Sequence, residues 1–112
     1  MKQWKETCWQ DDDDGNTIVT ISQVLHLLRY EPIVILRLEE LSHIKDLSVC
    51  EHRIAEADLS CPIIVSEKDE RYIRILDGHH RRAKAILQND EYIFAKILKF
   101  SCIPVQFKWL AN

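Results

Sequence analysis

Residues 73–83 read Ile-Arg-Ile-Leu-Asp-Gly-His-His-Arg-Arg-Ala, and no other segment constrains the fold as much. An apolar, β-branched run predicts a strand that Asp77-Gly78 breaks. The chain has only Gly 2, so a glycine here marks a sharp turn and a place where a ligand can approach the backbone. A helix starts at once, and the first N–H groups of a helix lack intrahelical partners. Their partial positive charge favours an anion and disfavours nearby cations. Yet this helix begins with His79, His80, Arg81 and Arg82. Selection for stability alone would place Asp or Glu there. The pattern makes sense if a phosphate docks among these groups, because Arg holds phosphate bidentately and His can donate or shuttle a proton. The competing structural reading has Asp77 capping the helix, both arginines in surface ion pairs and one histidine packed.

The neighbouring segments supply a frame. Thr20-Ile-Ser-Gln23 has the spacing of a capping box and predicts a helix that Pro32 ends. Ile33-Val-Ile-Leu36 predicts a buried strand, and Leu38, Leu41, Ile44 and Leu47 a short helix or turn after it. Residues 50–59 read as another short helix. Pro62-Ile-Ile-Val65 and Tyr72-Ile-Arg-Ile-Leu76 predict a hairpin with a loop of about five residues, with Tyr72, Arg74 and Leu76 on one face and Ile73 and Ile75 on the other. The helix from His79 to Leu87 is expected to turn Ala83, Ile86 and Leu87 inward. Residues 91–100 have helix-like spacing, and Ile103, Val105, Phe107 and Trp109 alternate as in a half-buried strand. The expected fold is α+β, a single domain with a small mixed, curved sheet of about four strands and surrounding helices.

Residues 1–16 differ in character and are read as an acidic arm on a domain spanning 17–112. The run Asp11-Asp12-Asp13-Asp14-Gly15 resembles part of a calcium loop. Aligned on Gly15, however, Gln10 takes the first ligand position and Ile21 the place of the bidentate Glu. The four cysteines are scattered, and Cys50-Glu-His52 with Cys61 fits no standard zinc spacing, so no metal site is expected. The net charge of −3 argues against a general nucleic-acid coat, which needs many cations to displace counterions. No apolar run is long enough to cross a bilayer, and the first residues lack the apolar stretch of a signal peptide. A cytoplasmic location with no membrane contact is expected.

Pro62-Ile-Ile-Val, then Tyr72-Ile-Arg-Ile-Leu-Asp-Gly-His-His-Arg-Arg-Ala, then Ile103-Pro-Val resembles the ParB/sulfiredoxin superfamily. Ile33-Val-Ile-Leu-Arg-Leu-Glu-Glu-Leu is similar to its first strand and the helix after it, so the likeness spans residues 33–107. Sulfiredoxins place a catalytic cysteine in this turn, which has none here. ParB proteins carry DNA-binding domains for which this chain has no room. The Asp-Gly-His-His-Arg turn is most similar to that of the free-serine kinases. That resemblance implies a nucleotide (ADP, ATP or CTP, with or without Mg2+) held through its phosphates by Gly78, His79, His80, Arg81 and Arg82. It implies Asp77 and His80 in orienting or chemical roles, and Glu39 or Glu40 as a general base acting on a small hydroxyl substrate. Three functions are therefore expected in order. The first is a nucleotide-dependent phosphotransferase. The second is a non-catalytic nucleotide-binding or regulatory module for a protein partner. The third is a DNA-binding or nuclease-type ParB-like protein.

Overall fold

The computed structural model describes residues 8–10, 18–45 and 49–112. The acidic run 11–14, with the calcium-loop question, and Leu47 lie outside the described residues. Strand β1 (Cys8–Gln10) pairs antiparallel with β2 (Ile18–Thr20), so part of the N-terminal arm forms a small ribbon. Helix α1 (Ile21–Leu27) follows directly. Its capping box is present: the Gln23 amide donates to Thr20 Oγ1 at 3.3 Å and the Thr20 amide to Gln23 Oε1 at 2.8 Å.

The main sheet contains β3 (Val34–Arg37), β4 (Ile63–Lys68), β5 (Arg71–Asp77) and β6 (Tyr92–Lys99) in the order β3-β6-β4-β5. β4 and β6 are parallel and the other pairs antiparallel, so the sheet is mixed, as expected. One face is covered by α1 and the C-terminal turns, through Val24, Leu28, Ile103 and Leu110. The other face is covered by helix α3 (His79–Leu87) and by the segment after β3, through Ala85, Leu38, Leu41 and Ile44. Helix α2 (Glu51–Glu56) lies outside, against α3. The molecule is thus a small α+β domain with one sheet between two layers.

Several elements differ from expectation. Residues 91–100, expected as helix, form β6, an interior strand. Ile93 and Ile97 are compatible with a helical stripe, but their even spacing also suits a strand. Burial on both faces, by Ile93, Ala95 and Ile97 on one side and Leu98 on the other, settles which is formed. The segment expected as the last strand is instead a 3-10 helix, Val105–Ala111. The Phe107 amide donates to Pro104 O at 2.9 Å, starting the turn. The alternation was misleading there: Val105 is 81% exposed, and burial falls on Leu110 and Ala111. Helix-tolerant Gln106, Lys108, Leu110 and Ala111 dominate that stretch.

The β4–β5 loop is shorter than expected. The strands run to Lys68 and from Arg71, and Asp69 and Glu70 make the turn at φ 52° and 64°. Two register shifts leave Ile73 and Leu76 without a directly paired residue in β4. These bulges break the expected alternation, so Tyr72 packs with Ile75 on the α3 face while Leu76 joins the opposite core. Within α3 the buried residues are Arg82 and Ala85, whereas Ile86 and Leu87 are 52% and 71% exposed. The helix is therefore rotated from the face first assigned, because a long basic side chain, rather than Ile86, reaches across the core.

Candidate functional site

The candidate site lies where β5 ends and α3 begins. Asp77 pairs with Ile64 near the start of β4, and Gly78 follows at φ 104° as the N-cap of α3. Glycine is required twice over here. The backbone is left-handed, and a Cβ on residue 78 would lie 2.8 Å from Ile63 Cβ. Ile63 thus fills the space on that side, which anchors the turn to the sheet. Gly78 has no side chain to cap the helix, and the first turn holds no acidic residue. Arg82 N–H donates to Gly78 O at 2.9 Å, so the helical ladder begins at the cap itself.

A cleft of about 500 Å³ opens over this turn. Asp77, Gly78, His80 and Arg81 line it from one side, and Arg53, Glu56, Ala57 and Asp58 from α2 and the loop after it. Arg81 Nη1 donates to Pro62 O at 3.2 Å and approaches Asp77 Oδ2 at 3.4 Å, which fixes the guanidinium at the cleft wall. Asp77 thus engages Arg81, four residues further along the chain. The Cys50 amide donates to His80 Nε2 at 3.3 Å. Lys84 Nζ donates to Ala55 O at 2.9 Å and Ala57 O at 2.8 Å, tying the end of α2 and its loop to α3. The carboxyl of Asp58 lies below its usual range. Ser60 is the cause, through its hydroxyl and then its amide, with lesser help from Cys61 and Arg81.

The two adjacent arginines have different places. Arg81 faces the cleft. Arg82 is 3% exposed and turned inward, donating to Leu41 O at 2.9 Å and Ile44 O at 2.8 Å. It holds the segment that crosses the sheet from β3, and His43 secures that segment on the far edge by donating to Tyr72 O at 2.6 Å. His79 is half-buried and does not line the cleft. Glu39 and Glu40 are exposed on a 3-10 turn, Leu38–Leu41, and do not line the cleft either; Glu39 lies 3.4 Å from Arg37.

Sequence reasoning missed Arg53, Glu56 and Asp58. One signal was available: apart from Ile54, α2 has little to bury, and a helix that buries little is free to present polar groups to a neighbour. Among the described residues, no group of three His, Cys, Asp or Glu could hold a metal ion, and no helix is long and apolar enough to cross a membrane.

No protein-family model, curated protein or solved structure matches the chain.

Proposed function

We propose that this domain binds the phosphates of a nucleotide in the cleft at the start of α3, as a ParB/sulfiredoxin-like protein. The observation that carries the reading is the helix start itself. α3 begins at a glycine cap, has no acid in its first turn, and opens on a cleft that also presents Arg81, His80 and Arg53. Amides, a guanidinium and an imidazole converging on one polar space suit a phosphate group.

The cleft also bears Glu56, Asp58 and Asp77, so its carboxylates outnumber its two guanidiniums. A bare polyphosphate would be repelled by them. Mg2+ carried on the nucleotide offsets that repulsion, and the metal arrives with the ligand because the described residues build no site of their own. ADP, ATP and CTP are the nucleotides in question.

The placement of Glu39 and Glu40 bears on catalysis. Neither lines the cleft, so a phosphotransfer to a small hydroxyl substrate would draw its base from Asp77, which does. Asp77 is engaged with Arg81 at rest. This favours the non-catalytic nucleotide-binding module as the second reading, with the ligand fixing α2 against α3 for a protein partner.

Thermal unfolding with each nucleotide, with and without Mg2+, tests the proposal. At about a hundred times its dissociation constant a ligand adds about 2.7 kcal/mol, a rise of several degrees in Tm for a domain of this size. The rise is expected with Mg2+ and is expected to vanish in Arg81→Ala. Turnover of a bound nucleotide with a hydroxyl acceptor would select the enzyme, and binding without turnover the module. Absence of any shift would remove the nucleotide reading.

A further inference from the structure

The two edges of the main sheet are built differently. The β5 edge carries two bulges and exposed Arg71 and Arg74, and His43 covers its Tyr72 carbonyl. Bulges, charges and covering side chains are common ways of blocking strand addition. β3 has no bulge, and its register runs unbroken against β6 from Val34 to Arg37, with a charge only at that last residue. Among the described residues no strand pairs with its outer edge. The Leu38 amide donates to Glu91 O at 3.0 Å, continuing the same register. By the alternation of an antiparallel pair, Val34 and Leu36 also bond inward, so Ile33, Ile35 and Arg37 direct their N–H and C=O groups outward. Ile33 is 54% and Ile35 64% exposed. An apolar hollow of about 350 Å³, lined by Ile35, Phe94 and Leu59 among others, widens this surface.

We infer that β3 is the interface of a symmetric homodimer, formed by antiparallel addition of β3 from a second copy. Outward residues must face outward residues for the hydrogen bonds to form. With the two-fold axis at Val34, Ile33 of each copy faces Ile35 of the other, and Glu31 of each faces Arg37 of the other. These are apolar and opposite-charge cross-strand pairs, both favourable. An axis at Ile35 would instead set Ile33 against Arg37 and Glu31 against Glu39. Pro32 costs nothing in the chosen register, because its missing N–H belongs to the inward set. Arg37 is held at the strand end by Glu39 at 3.4 Å and Glu91 at 3.5 Å. The contact is isologous and closes at two copies, which leaves neither β3 edge free.

Sedimentation equilibrium of the full chain over a wide concentration range tests this. Wild type is expected to dimerise. Ile35→Lys, at an exposed position, is expected to give a folded monomer. Arg37→Glu is expected to weaken the dimer about tenfold or more, and Glu31→Arg added to it to restore much of the loss. Hydrogen exchange supplies a readout without mutation: the Ile33, Ile35 and Arg37 amides slow as protein concentration rises, while Val34 and Leu36 do not change. A chain that is monomeric at every concentration, or a dimer that Ile35→Lys leaves intact, overturns the proposal.

Discussion

Gly78 lies against Ile63, with its backbone in the left-handed region at φ 104° and no room for a Cβ on the side facing that isoleucine. The turn that opens α3 is therefore locked to the first residue of β4. Gly78→Ala combines backbone strain with overpacking and is expected to cost about 2–4 kcal/mol in urea unfolding. Ile63→Ala in the same chain deletes Cγ2 but keeps Cβ, so it relieves the clash in part, and the two changes together should cost somewhat less than their sum. Independent, additive effects would mean that the contact does not govern the turn.

Arg81 and Arg82 separate function from stability. Arg82→Ala leaves the Leu41 and Ile44 carbonyls without their guanidinium donors in a buried setting, and is expected to cost about 2–4 kcal/mol. Arg81 is partly solvated beside Asp77, where an ion pair contributes about 0–1 kcal/mol. Arg81→Ala should therefore unfold close to wild type while losing phosphate affinity. The opposite ordering of the two stabilities would contradict the assigned roles.

The division between legible and hidden features follows from the range of the forces involved. The capping box of Thr20 and Gln23 and the span of α3 were readable because caps and glycine breaks act within a few residues. The position of Asp77, Gly78, His80 and Arg81 along one cleft followed from that same local geometry. β6 was not readable as a strand, since Ile93 and Ile97 fit either period and only the parallel partner β4 decides between them. The C-terminal alternation misled because the Phe107 amide bonds back to Pro104 O and burial falls on Leu110 and Ala111, outside the alternating set. Arg82 looked like a second copy of Arg81 because its partners, Leu41 and Ile44, are distant in sequence. Arg53, Glu56 and Asp58 were missed for the same reason: beyond the sparse apolar face of α2, nothing near them announces the turn they face.

The β4–β5 turn is open to improvement. Asp69 and Glu70 both hold positive φ, which suits Asn and Gly far better. Asp69→Asn with Glu70→Gly is expected to stabilise the domain by about 1 kcal/mol, raising Tm by roughly 4–8 °C. A lowered Tm would mean that the turn has another geometry.

Tyr72 holds its phenol proton beyond the usual range, first through partial burial and then through the carboxylates of Glu40 and Glu67. An acid whose pKa is raised on folding contributes stability below its unfolded value of about 10, lost as pH rises from there through the folded value. The tyrosinate absorbance difference between wild type and Tyr72→Phe should accordingly titrate above pH 10. A titration at or below that value would place the phenol in open solvent.

The most direct test of the phosphate site is a titration of backbone amide chemical shifts with an Mg2+-nucleotide. The expected result is saturable movement centred on Gly78, His80 and Arg81, with smaller changes at Arg53 and Asp58 across the cleft, and none of it in Arg81→Ala. Saturable shifts centred on another surface, or no shifts at millimolar nucleotide, would contradict a phosphate site at the start of α3.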